Sequence, residues 1–112
     1  MGADESAELA SRSCVPCRGG VPPLSGEPLQ RLARALPTWK LAEGRRLEKT
    51  FRFPDFRTAL SFTNRIGALA EEQGHHPDLH LSWGAVRVEL WTHKIDGLTE
   101  SDFVLAAKID RL

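Results

Sequence analysis

Tyrosine is absent from this 112-residue chain, and only two cysteines occur. Without tyrosine, any stacking against a flat ligand has to rely on Trp, Phe or His. The cysteines form one Cys14-x-x-Cys17 pair. A structural zinc site wants four ligands, and no second pair is available. A conformational leader, intersubunit or metal use, and redox use all stay open for the pair, although the βαβ context of a thioredoxin-like motif is missing. Net charge is also lacking: 15 basic residues balance 15 acidic ones. A neutral chain does not advertise a nucleic-acid partner. No apolar run approaches the roughly 20 residues that cross a bilayer. The acidic start, Met1-Gly2-Ala3-Asp4-Glu5-Ser6-Ala7-Glu8, lacks the apolar stretch of a secretory signal. These absences point to a cytoplasmic protein with no membrane partner and room for one domain.

What is present alternates helical and strand patterns. Residues 1–24 are small, polar and proline-bearing, and read as a flexible N-terminal leader that packs late or not at all. The folded domain is expected over 25–112. Leu29, Leu32, Ala33 and Leu36 recur at helical steps after Ser25, and Pro37 stops the helix. Two strands, Trp39 to Ala42 and Arg46 to Phe53, meet around Gly44. Asp55 caps a longer helix whose apolar stripe runs to about Gln73, with Gly74 as its stop. A third strand carries Leu79, Leu81 and Trp83 on one face, which favours a core role for Trp83 over ligand stacking. After a turn at Gly84-Ala85, a fourth strand points Val86, Val88, Leu90 and Thr92 inward. Trp91 is a large aromatic on its otherwise polar face, as found at contact or ligand surfaces. Leu98 to Phe103 has the form of a capping box, Thr99 with Asp102, opening the last helix. The order predicts an α+β domain: a four-stranded antiparallel sheet with three helices on one face.

Chemistry concentrates in Glu71-x3-His75-His76-Pro77-x5-Trp83-x9-His93-x8-Asp102. Histidine alone among side chains has an unperturbed pKa, about 6.5, suited to proton exchange near neutrality. A nearby carboxylate holds an imidazole in one tautomer and stabilises its charged form. Pro77 ends the helix and pushes His76 toward extended backbone, so the pair sits at a helix-to-strand corner. Plainer roles compete: Glu71 as a solvated helix residue, Asp102 as a cap, Trp83 as core. A metal gathered by His75, His76, His80 and His93 is disfavoured, because adjacent histidines in an extended corner point apart and no HExxH-like pair exists. His80 falls outside the pattern.

That spacing resembles the signature of the pterin-4a-carbinolamine dehydratases, and the likeness runs from about Leu29 to Leu112. The segment Cys14-Val15-Pro16-Cys17-Arg18-Gly19-Gly20-Val21-Pro22-Pro23-Leu24 is similar to leaders of some bacterial members. The resemblance implies dehydration of 4a-hydroxytetrahydropterin to quinonoid dihydropterin, a hydro-lyase reaction of tetrahydrobiopterin recycling that needs no cofactor or metal. By motif match His75 and His93 are the acid–base candidates, and His76 holds the substrate and shares the proton work. Glu71 and Asp102 orient the rings, Asp102 acting on His93. Trp83, the remaining motif position, is placed with Glu71 and Asp102 among the substrate-binding or orienting residues. The likeness further implies a homodimer or homotetramer and a link to an aromatic amino-acid hydroxylase. Two alternatives carry over: a non-catalytic dimerisation cofactor that binds protein, and a pterin-binding protein of molybdenum-cofactor metabolism. Ser101 departs from the basic residue of animal members.

Overall fold

The computed structural model describes residues 2–15 and 19–112. Among the described residues, four helices and four strands follow in the order α1 Gly2–Ser11, α2 Gly26–Ala35, β1 Lys40–Ala42, β2 Arg46–Arg52, α3 Phe56–Gln73, β3 Asp78–Ser82, β4 Ala85–Leu90 and α4 Glu100–Ile109. A 3-10 turn at His93–Ile95 leads from β4 toward α4. The sheet is antiparallel throughout, ordered β1-β2-β4-β3. The α+β architecture and the two interleaved hairpins agree with the alternating pattern of the sequence.

Register explains the inner face. Leu47 pairs with Leu90, Lys49 with Val88 and Phe51 with Val86, while Leu79 and Leu81 lie opposite Val88 and Val86. Leu47, Val86, Val88 and Leu90 are buried in one cluster with Ala59, Phe62 and Ile66 of α3 and with Phe103, Val104 and Ala107 of α4. The Phe62 ring packs on Phe51 at 4.8 Å and on Phe53 at 5.0 Å. One rim is closed by Asp110, which accepts hydrogen bonds from Trp39 Nε1 (3.0 Å) and Lys49 Nζ (2.7 Å).

Helix ends follow their sequence signals where a side chain can reach. Asp55 Oδ1 accepts from the Thr58 amide at 2.8 Å, which sets the start of α3. Gly74, at φ 64°, ends it in the left-handed conformation that glycine adopts without strain. The capping box forms at Thr99 and Asp102. Ser25 precedes α2 without a side-chain cap bond.

Two expectations need correction. Residues 2–11 are helical, although they were expected to belong to a leader that packs late or not at all. Leu9 is buried, and Lys108 Nζ donates to the Ala10 carbonyl at 2.8 Å. One leucine in an alanine- and glutamate-rich stretch shows no periodicity, so the tertiary contact with α4 is what the sequence pattern hides. Trp83 was expected in the core on β3. The strand ends at Ser82, which pairs with Ala85, so Trp83 and Gly84 form the hairpin loop. A one-residue shift of the turn takes the indole off the inner face, and Trp83 is 69% exposed.

Gly97 is buried where the chain leaves the 3-10 turn, and a Cβ there would lie 2.5 Å from Cβ of Pro23. Gly97→Ala is expected to lower stability by about 1–3 kcal/mol, the usual cost of forcing an extra carbon into a packed site. Thermal unfolding followed by circular dichroism checks it; an unchanged midpoint would mean that Pro23 moves aside at no cost.

Candidate active site

The corner after α3 and the first turn of α4 meet across the end of the sheet. The Gly74 cap turns the chain out of α3, and the His75 amide donates back to the Ala70 carbonyl at 3.2 Å. This fixes the backbone of His75, whose Nε2 lies 2.6 Å from Asp102 Oδ1. Asp102 is fully buried. Its other oxygen, Oδ2, accepts from Thr92 Oγ1 at 2.8 Å and from the Thr99 amide at 2.9 Å. A buried carboxylate is costly unless each lone-pair direction finds a donor. Three donors converge here, if Nε2 carries a proton.

The other histidines are held differently. His76 Nε2 bonds Glu71 Oε2 on the surface, one turn of α3 away. His93 stands in the 3-10 turn, more than half exposed, with Nε2 3.9 Å from Asp78 Oδ2, too long for a hydrogen bond. Its ring instead meets Trp91 edge-on at 4.3 Å between centroids. The Arg46 guanidinium stacks on the same indole, also at 4.3 Å, in a cation–π contact that stiffens the wall. Arg46 lies next to the Leu47–Leu90 pair in the ladder, which brings it opposite Trp91. A cavity of about 280 Å³ opens between these elements, lined by Gly74, His75, His76, Trp91, Thr92, His93 and Lys94.

The three motif histidines therefore share one cavity. Glu71 reaches it through His76. Asp102 supports it from below, but its partner is His75; the expectation that it orients His93 is corrected by the 2.6 Å contact. Trp83 is absent from the lining, because β3 runs away from the corner and delivers it to the far hairpin. Thr92, read only as an inward strand residue, is the second donor to Asp102. Trp91 forms a wall of the cavity, and its lone aromatic ring on a polar strand face was the available signal.

His80 and Glu89 lie outside the cavity as a separate 2.8 Å pair. Burial acts to raise the Glu89 carboxyl, but His80 and Arg87 outweigh it and hold the group below its usual range. No three His, Cys, Asp or Glu side chains among the described residues converge as a metal site. Burial pushes the Cys14 thiol up to about 11, with Lys108 opposing and Asp102 reinforcing the shift; Cys17 lies outside the described residues. No helix among the described residues is long and apolar enough to cross a membrane.

The family model for pterin 4 alpha carbinolamine dehydratase matches residues 22–112. The chain belongs to this family. A relative from Rubrobacter xylanophilus, named for the pterin-4-alpha-carbinolamine dehydratase activity, is 61% identical over 106 residues, covering 95% of this chain and 99% of that protein. The crystal structure of a transcriptional coactivator/pterin dehydratase from Brucella melitensis superimposes with a TM-score of 0.73 at 33% identity, over 80% of this chain and 96% of that one. A pterin dehydratase-like protein described as a RuBisCO assembly factor of the alpha-carboxysome is similar at a TM-score of 0.57 and 25% identity. That match covers 66% of this chain and 87% of the other. The matched region of the family model holds every residue lining the cavity.

Proposed function

We propose that the chain dehydrates 4a-hydroxytetrahydropterin to quinonoid dihydropterin, with His75, His76 and His93 as its acid–base and binding groups. The observation that carries this reading is the His75–Asp102 pair opening onto a cavity that also holds the other two imidazoles. In the reaction the C4a–oxygen bond breaks and the N5 proton leaves. The electron pair of the N5–H bond forms the C4a–N5 double bond, and the departing hydroxide takes a proton to become water. One base and one acid are sufficient, each typically contributing about 10²–10⁴-fold.

An ionised Asp102 is an acceptor only, so it keeps the proton of His75 on Nε2 and leaves Nδ1 as the basic nitrogen. His75 is accordingly the base for N5–H. His93, which has no hydrogen-bonded carboxylate, delivers the proton to the leaving oxygen. His76, steadied by Glu71, holds the substrate and shares the proton work. Trp91 supplies the flat wall that a bicyclic ring can lie against. Trp83, in the exposed hairpin loop, is not among the residues that line this cavity. The same reading carries a cytoplasmic homodimer or homotetramer serving tetrahydrobiopterin recycling beside an aromatic amino-acid hydroxylase.

Rapid mixing of enzymatically generated 4a-hydroxytetrahydropterin with the protein, followed by ultraviolet absorbance, tests the reading. Acceleration by the native chain, and its loss in the His75→Ala/His93→Ala double variant, is the expected result. A folded native sample that leaves the spontaneous rate unchanged would refute it. A non-catalytic dimerisation scaffold or a pterin binder of molybdenum-cofactor metabolism would then be separated by calorimetry with pterins.

A further inference from the structure

Both partners of the His75–Asp102 pair sit at helix ends, one just beyond the C-terminus of α3 and the other in the first turn of α4. Helix ends are where backbone order is weakest, since their amides and carbonyls lack intrahelical partners. The segment that precedes the family match is bonded to both ends. The Cys14 amide donates to Gln73 Oε1 at 2.9 Å, and Gln73 is the last residue of α3, next to the Gly74 cap. The Val15 amide donates to Ser101 Oγ at 2.8 Å, and that hydroxyl donates back to the Val15 carbonyl at 3.2 Å. Arg12 reaches Glu100 at 2.8 Å. Thus Glu100 and Ser101 are tied to the N-terminal segment, and the next residue, Asp102, is tied to His75.

A third attachment lies on the far side of the network. The Leu24 amide donates to the Leu98 carbonyl at 2.8 Å, beside Gly97, whose carbonyl accepts from the Thr92 amide at 2.8 Å. Thr92 in turn donates to Asp102. His75 and Thr99 therefore each lie within two residues of one that is bonded to the N-terminal segment, and Thr92 is joined to it through Gly97 and Leu98. Ser101 is nearly fully buried, so its hydroxyl depends on the N-terminal segment for its bonds.

We propose that the N-terminal segment, through Cys14 and Val15, is a strap that positions the His75–Asp102 pair, with Ser101 and Gln73 as positioning residues. The strap touches neither the cavity nor the reacting atoms. Its effect is on the distance and orientation between two helix ends. A small misplacement of a proton-transferring group lowers turnover without weakening substrate binding. The turnover arm of the test rests on the dehydratase reading; the spectroscopic arm does not.

The experiment uses the full chain and two variants, Ser101→Ala and Gln73→Leu. Amide exchange at Cys14 and Val15, the nitrogen-bound proton resonance of His75 Nε2, and steady-state dehydration are measured on each. Expected are faster exchange at the strap amides, a displaced or broadened His75 resonance, and a kcat lower by about three- to tenfold at unchanged KM. Faster exchange with a native His75 resonance and native kcat would overturn the proposal, leaving the strap as packing alone. Unchanged exchange would overturn it too, because the bonds would not be holding the segment. If Ser101→Ala fails to fold, Gln73→Leu carries the test. A native protein without dehydratase activity would remove the functional reading, while exchange and the His75 resonance would still decide the strap.

Discussion

Replacing His75 with glutamine is expected to lower dehydration by about 10²–10⁴-fold, the range that one positioned proton-transfer group supplies. Glutamine is the sharper choice over alanine. The imidazole gives Asp102 one of its three hydrogen-bond donors, and an alanine would leave a buried carboxylate oxygen without a partner. Removing one side of a buried pair commonly costs about 3–5 kcal/mol, so a loss of activity in His75→Ala alone could reflect a loosened fold. The glutamine amide can still donate to Oδ1 but cannot exchange a proton. Turnover and the thermal midpoint, measured together, separate the two effects. His93→Ala is the useful contrast. Its ring is more than half exposed and has no hydrogen-bonded carboxylate, so stability should change by no more than about 0.5 kcal/mol while kcat falls at least about tenfold. Near-native turnover in both variants, with both folded, would exclude the acid–base roles.

The difference between these two histidines was not visible in the sequence, and the reason is geometric. His93 lies closer to Asp102 along the chain than His75 does, so sequence proximity favoured the wrong partner. The backbone between them folds into a 3-10 turn and a bridge from Thr92 to Gly97, which swings His93 outward to Trp91. Meanwhile the left-handed Gly74 cap brings His75, 27 residues from Asp102, into contact. Of the motif positions, His75, His76 and His93 line the cavity and Trp83 does not; the spacing did not assign their partners. Local signals with a single physical cause were readable: the Asp55 cap, the Gly74 stop, the alternation on β2 and β4, and the Thr99–Asp102 box. Trp83 was not, because the pattern of β3 continues equally well through one more residue. Only the Ser82–Ala85 pairing decides where the hairpin turns. Helix α1 was hidden for another reason: its burial rests on Leu9 and on contacts with α4, which no local period can announce.

Asp102 offers the clearest separation of architecture from chemistry, since one carboxylate does both jobs. Oδ2 belongs to the fold, accepting from Thr92 and the Thr99 amide, whereas Oδ1 faces His75. Asp102→Asn should keep the first job: its amide oxygen takes the place of Oδ2, and the loss in stability is expected to stay below about 1.5 kcal/mol. The amide nitrogen then faces Nε2 and donates to it. His75 must accept there and carry its proton on Nδ1, so the nitrogen assigned to take the N5 proton is blocked. Turnover should therefore fall by about 10²-fold or more in a protein that still folds. Asp102→Ala removes both jobs, leaving the Thr92 hydroxyl and the Thr99 amide without their acceptor, and is expected to cost about 3–5 kcal/mol. Thermal unfolding, steady-state turnover and the nitrogen chemical shifts of His75 distinguish the cases. An asparagine variant as unstable as the alanine one would refute the division of labour between the two oxygens. An asparagine variant with native turnover would show that the tautomer of His75 does not govern the reaction, and the base would then have to be sought at His76 or His93.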